Sequence, residues 1–192
     1  MKLHDLQYVP TTTLATSQTV YRVQRSRAHV QSVHVGALRL APADDMSSRF
    51  ALGTACVAYF AESPETAIYE SLVRREAVSL SMRMVSTRAL LCLRTTRSLR
   101  LLDLRPHTPS WPVLQSLRFE ATQGIAKDAL EADFDGIVYR SAQQYGQDCL
   151  VVFGSGADAF KLAWRKPLVR ADGALHQALA AAIHGGQIMV VP

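Results

Sequence analysis

The sequence predicts an α+β protein built as a single domain. Short runs of strand length, such as "TVYRVQR", "ACVAYFAE" and "DCLVVFG", stand apart from a few helical stretches instead of alternating regularly with them. The 192 residues are 48% hydrophobic and 19% charged, the balance of a globular chain with a real core. No internal repeat, low-complexity linker or shift of composition marks a second domain.

Taken in order, Thr19–Arg25 alternates as a strand, with Tyr21 and Val23 on one face and Val20 and Arg22 on the other. A loop through Asp44-Asp45 and Ser47-Ser48 leads to "SRFALG". The strand "ACVAYFAE" then runs into "SPET", where Ser63 reads as a helix N-cap, Pro64 as the first helical residue and Glu65 as an acid near the positive end of the dipole. The spacing predicts a helix to about Arg75. "MRMVS", "ALLCLRTT" and "LRLLDLRP" read as short strands, closed by Pro106 and Pro109. From Pro112 to Ala132 the pattern is helical, with Gly124 as the weak point between two segments. "DFDGIVYRSA" predicts a turn through Asp135-Gly136 and a strand ending near Arg140-Ser141; "DCLVVFG" and "AFKLAWRK" read as further strands. "ALHQALAAAIHGG" is an alanine-rich helix with glycines just past its end, followed by a short tail.

Composition narrows the function classes. The start "MKLHDLQYVPTTTL" has no apolar core segment of a secretory signal, and no apolar run reaches the ~18–20 residues that span a bilayer. A soluble, cytoplasmic protein without membrane association is expected. Cys56, Cys92 and Cys149 are odd in number, far apart and set in apolar runs, where a free cysteine acts as a small hydrophobe. With no C-x-x-C and no His pair at ligand spacing, no metal site is expected. The net charge of +5 and pI near 9.4 suit an anionic partner, but the arginines are scattered and no basic block is interleaved with aromatics, so direct nucleic-acid binding is not favoured. Phosphate-loop, dinucleotide-fingerprint, zinc-protease and nucleophile-elbow motifs are all missing, and "GSGAD" alone reads as a turn.

Glu70 is the residue that asks for an explanation. On a helical wheel Ile68, Tyr69, Leu72 and Val73 form the apolar arc, and Thr66 and Glu70 lie together along its edge. One reading is a solvated glutamate paired with Arg74 at i, i+4; the other is a carboxylate projecting into a cleft. Arg22 and Arg49 likewise read either as snorkelling or exposed side chains or as guanidinium forks for a pyrophosphate. Ser141 by itself reads as a polar strand end.

In combination these segments resemble a known family. Tyr21-Arg22, then Arg49-Phe50 with Gly53, then "YFAESPETAIYE" from Tyr59 to Glu70, then "GIVYRSA" from Gly136 to Ala142 resemble the RES-domain family, whose members are toxins of bacterial toxin–antitoxin pairs. The resemblance covers residues 19 to 154, and its most specific part is Y-x-A-x-x-x-x-T-A-x-x-E. Family members often carry glycines before the RF arginine and an asparagine after the Phe; here Ser47, Ser48 and Ala51 stand there. The resemblance implies a fold like that of the diphtheria-toxin-type ADP-ribosyltransferases, with split mixed sheets, flanking helices and a cleft for NAD⁺. It divides the chain into an N-terminal segment (1–18), an NAD-binding catalytic domain (19–166) and a C-terminal helix and tail (167–192) of the same domain. It further implies NAD⁺ as substrate and no metal. Glu70 would be catalytic with Arg22 and Ser141. Arg22 and Arg49 would hold the phosphates and ribose, with Tyr21 beside them, Tyr59 against the nicotinamide and Ser141 supporting the site. Cleavage of the nicotinamide–ribose bond by hydrolysis or phosphorolysis is the leading expectation, and ADP-ribosyl transfer to a protein the alternative. A cognate antitoxin of Xre-like, helix-turn-helix type is implied as partner, while a homo-oligomer is left open. The rivals of another class are a nucleic-acid-binding protein and a non-catalytic interaction domain; the latter predicts that Arg22, Tyr59, Glu70 and Ser141 lie scattered.

Overall fold

Strands whose residues alternate between two apolar faces must be covered on both sides, and the architecture follows from that. The computed structural model describes residue 5 and residues 9–28, 30–116 and 118–192. Residues 1–4 and 6–8 of the expected N-terminal segment lie outside them. In chain order the elements are β1 (Thr11–Leu14), β2 (Thr19–Arg25), β3 (Val33–Val35), β4 (Leu38–Leu40), β5 (Val57–Ala61), α1 (Pro64–Ser71), β6 (Ser79–Ser81), α2 (Met82–Ser86), β7 (Arg88–Thr95), β8 (Leu99–Asp103), α3 (Phe119–Glu131), β9 (Gly136–Arg140), β10 (Asp148–Phe153), β11 (Phe160–Pro167), α4 (Gln177–Gly186) and β12 (Met189–Val191). Short 3₁₀ turns occupy Arg105–His107, Pro112–Gln115 and Gly154–Ala159.

Eight strands form one mixed sheet in the order β1-β8-β9-β10-β5-β2-β7-β11. All its pairings are antiparallel except β8 with β9, which α3 connects as a crossover. Along β10, Cys149, Val151 and Phe153 face one core with α1, α3 and α4, while Leu150 and Val152 face a second core closed by Leu38 and Leu40 of the β3–β4 hairpin. The sheet is nearly split in two. β2 and β5 are in register at one residue pair only, Tyr21 with Ala61, whereas β2 pairs with β7 along its whole length. The expected split sheets are therefore halves joined by a single pair.

The α+β class stands as predicted, and the local differences have physical reasons. The first helix ends at Ser71, not Arg75. Ser71 Oγ donates to the Ala67 carbonyl (2.7 Å), and Leu72 leaves helical geometry at φ −133°. "MRMVS" is a helix, not a strand, because Ser81 caps it through the Met84 N–H and only Val85 has a buried place. The break in the third helical region falls between Gln115 and Phe119, with residue 117 outside the described chain, and Gly124 sits inside α3. The tight turn before β9 uses Asp133, at φ 58°, while Gly136 lies within the strand. The glycines of "HGG" are the last turn of α4, and Gln187 takes the left-handed cap at φ 48°. They are needed for packing: a Cβ on Gly185 would stand 2.5 Å from the Tyr69 hydroxyl and one on Gly186 2.7 Å from Val73 Cγ1, so their absence lets α4 seat on α1. The tail is not loose either, since β12 pairs in parallel with β6. Among the described residues no helix is long and apolar enough to cross a membrane.

A charged cluster ties the ends of the central strands. Arg105 bonds both Asp103 (2.7 Å) and Asp148 (2.8 Å), and Arg140 meets Asp148 from the neighbouring strand. Burial pushes the Asp103 carboxyl up, but the hydrogen bonds and charge of Arg105 outweigh it, so the group titrates below the ordinary carboxylate value. That contribution to stability is present above the ordinary Asp value of ~3.9 and is lost as pH falls through the depressed folded value. Asp103→Asn is therefore expected to flatten the acid limb of a stability–pH curve below about pH 4, measured by denaturant unfolding at a series of pH values. Gly136 gives a second expectation. A Cβ there would lie 2.1 Å from the Val151 carbonyl oxygen of the paired strand. Gly136→Ala should cost more than about 2 kcal/mol in the same measurement, because backbone, not a movable side chain, is in the way.

Candidate active site

Where β2 and β5 part, backbone groups that a ladder would satisfy need other partners. Arg22, the residue after the single registered pair, supplies one: its guanidinium donates to the Tyr59 carbonyl (2.8 Å) and to the Arg39 carbonyl of the covering hairpin (3.3 Å). A cavity of about 320 Å³ opens there, and Tyr21, Arg22, Arg49, Tyr59 and Glu70 all stand on its wall with Tyr139.

Glu70 reaches the cavity from α1. Thr66, one turn earlier, is fully buried and donates to Gln144 Oε1 (2.7 Å), which turns this helix edge toward the loop after β9. That loop then closes on the carboxylate. Glu70 Oε1 accepts from Ser141 Oγ (2.5 Å), from the Ala142 N–H (3.0 Å) and from the Gln143 N–H (3.3 Å), while Oε2 takes none of these bonds. The solvated pair with Arg74 does not form; Arg74 lies against Glu76 instead, at 2.9 Å. Ser141 is 0% exposed and sits behind Glu70, off the cavity wall. Its hydroxyl also accepts from the Gln143 and Gln144 N–H groups (3.1 and 2.9 Å), and its carbonyl accepts from Gln115 Nε2 (2.8 Å). Ser141 thus acts on the cavity through the side chains in front of it, Glu70 first.

On the same cavity as the carboxylate are two cations without acids. The Nε atoms of both Arg22 and Arg49 are buried and have no hydrogen-bond partner, and neither guanidinium pairs with a carboxylate among the described residues. Burial draws the Arg22 pKa down to about 10, which leaves it charged near neutrality. Arg49 is only 9% exposed and lies 5.7 Å from the centre of the Tyr139 ring. Charges drawn out of water are ordinarily paired with acids, and among the described residues neither of these two is.

The loop carrying Arg49 is held from two sides. The Tyr59 hydroxyl accepts from the Phe50 N–H (2.8 Å) and donates to Ser48 Oγ (3.0 Å). From α3, Thr122 Oγ1 donates to the Arg49 carbonyl (2.5 Å) and Gln123 Nε2 to the Ser48 carbonyl (3.0 Å). Ser48, where family members often have glycine, is thereby a working part of the loop. Burial raises the Tyr59 hydroxyl above its usual pKa, more than its hydrogen bonds and the two arginines lower it, so it stays neutral. Tyr21 is raised in the same way, by burial first and then by Cys92. Cys149 is also on the wall, its thiol pushed up by burial and then by the Glu70 charge, which makes it a poor nucleophile.

Sequence reasoning missed Tyr139, Thr122 and the Gln143–Gln144 pair. Tyr139 is 4% exposed, its ring 4.8 Å from that of Phe50. Its signal was available: Ile137 and Tyr139 alternate along one strand and so share a face, and Ser141 follows just past the strand end. The glutamines make contacts 68 and 78 residues away in sequence, and no local pattern announces those.

Arg22, Tyr59 and Glu70 on one cavity, with Ser141 directly behind, are not the scatter that a non-catalytic domain predicts. A mixed sheet whose halves join at one residue pair, with a fixed carboxylate and two guanidinium groups without acid partners lining the cavity beside that pair, defines an α+β protein with a charged cleft. The chain belongs to the RES domain family, whose model matches residues 19–171. Its fold is similar to that in the crystal structure of the M. tuberculosis MbcT–MbcA toxin–antitoxin complex, with a TM-score of 0.57 and 20% identity over 81% of this chain and 86% of that one. No curated protein matches the chain.

Removing the Ser141 hydroxyl takes a donor from Glu70 and an acceptor from two N–H groups at a fully buried position. Ser141→Ala should cost about 1–3 kcal/mol of stability, read from the shift in the denaturation midpoint at constant m-value.

Proposed function

We propose that this protein is a toxin of a toxin–antitoxin pair that acts on NAD⁺, breaking the bond between nicotinamide and ribose. The observation that supports this best is the pairing of two acid-free guanidinium groups with a carboxylate across one small cavity. A pyrophosphate would satisfy Arg22 and Arg49, for which planar forks are better suited than ammonium groups. The aromatic walls formed by Tyr59, Tyr21 and Tyr139 suit a flat nicotinamide ring.

The reaction asks for little else. The nicotinamide nitrogen leaves with the bonding pair as a neutral molecule, so no general acid is needed for departure. Positive charge develops on the ribose, as in other glycosidic cleavages, and Glu70 would stabilise it. Water then bonds to the ribose carbon and gives up a proton, yielding ADP-ribose; a phosphate oxygen in its place yields ADP-ribose-1″-phosphate. Ser141 and the Ala142 and Gln143 N–H groups occupy Oε1, which leaves Oε2 for the sugar. Ser141 is on this reading a positioning residue, and Glu70 the catalytic one.

A cognate antitoxin is the partner this reading calls for, as the MbcT–MbcA structure is by name a toxin–antitoxin complex. A contact of acidic character would suit a chain of net charge +5. The cytoplasmic NAD⁺ pool would be the target.

NAD⁺ loss with purified protein, with and without phosphate, is the test. Glu70→Gln should lower turnover about a hundredfold or more while circular dichroism and the unfolding midpoint remain near those of the parent. Products separate hydrolysis from phosphorolysis. Binding of NAD⁺ without its loss would point to a protein acceptor, and full turnover by a folded Glu70→Gln would end the proposed role of Glu70.

A further inference from the structure

A second hollow, of about 760 Å³, lies beside the candidate cleft and shares Arg22 and Val23 with it. Its wall carries five arginines, Arg22, Arg25, Arg27, Arg39 and Arg88, against two exposed aspartates, Asp44 and Asp45. Asp45 is engaged by the Ser47 N–H (3.0 Å). The arginines are not relieving one another. Arg25 and Arg88 stand directly opposite in the β2–β7 register, an arrangement in which like charges destabilise a sheet. Arg88 Nε is buried with no hydrogen-bond partner, and burial followed by the Arg25 charge lowers its pKa. Arg39 is otherwise committed, its guanidinium donating to the Arg25 and Ser26 carbonyls and so folding the hairpin round the hollow. Leu40, Ala41 and Pro42 give the same hollow an apolar side.

A cavity of about 320 Å³ is at the small end of the ~300–1,000 Å³ usual for small-molecule sites, room for about half a dinucleotide. Arg22 faces both spaces, so a pyrophosphate held there would send one half into each. An adenine ring fits the apolar side of the larger hollow. An unphosphorylated ribose gives Arg25 and Arg88 nothing to bind.

We propose that this chamber binds a 2′-phosphorylated adenylate, with Arg88 and Arg25 meeting the extra phosphate. Resting on the reading of the cleft as an NAD⁺-cleaving site, this makes NADP⁺ a substrate as well as NAD⁺. The chamber is tested apart from the chemistry by calorimetric titration of adenosine 2′,5′-bisphosphate and of AMP. The bisphosphate should bind about tenfold tighter or more, and Arg88→Gln should remove the difference. Arg25→Gln, at an exposed strand end, serves the same purpose if Arg88→Gln fails to fold. In turnover assays Arg88→Gln should lower kcat/KM for NADP⁺ by a similar factor and leave that for NAD⁺ unchanged.

Equal binding of the two nucleotides, or equal weakening of both by the substitutions, overturns the proposal. Arg88-dependent binding of the bisphosphate with neither dinucleotide cleaved supports the chamber and overturns the cleavage reading. Cleavage of NAD⁺ with no preference for the bisphosphate does the reverse.

Discussion

Two neighbouring strands that pair at one residue and then separate create a demand that the rest of the site answers. Past Tyr21 and Ala61 the facing edges of β2 and β5 have no ladder to complete, and unsatisfied backbone groups inside a protein are costly. Arg22 answers for the Tyr59 carbonyl, and in doing so brings a charge into the interior where no acid waits for it. The cleft is the room left by the missing hydrogen bonds, and its positive wall is the means of closing them.

The carboxylate side is built with the opposite economy. Glu70 and Thr66, one helical turn apart, both reach into the 141–144 loop, and the loop returns three donors to a single oxygen. The helix and the loop position each other, so Glu70 has little freedom to follow a ligand. The rigid acid and the two arginines without acids of their own line the same cavity.

Much of this was legible in the chain. The "SPET" cap, the strands over Thr19–Arg25, Val57–Ala61 and Asp148–Phe153, and the membership of Arg22, Arg49, Tyr59 and Glu70 in one motif set are local patterns, and local patterns survive in sequence. What failed was set by distant contacts. The helix over "MRMVS" follows from a serine cap and one buried valine, where alternation suggested a strand. Gly185 and Gly186 looked like a helix stop, yet their smallness is directed at Tyr69 and Val73 more than a hundred residues earlier.

That glycine contact reaches further than packing. Tyr69, which lies over Gly185, precedes Glu70 in α1, so the seat of the terminal helix sets how α1 is tilted under the cleft. The family match stops at residue 171, before α4 begins. The boundary drawn by sequence likeness and the boundary of the mechanical unit are therefore different: the terminal helix lies outside the shared motif and is still the buttress against which the helix bearing the motif's glutamate rests.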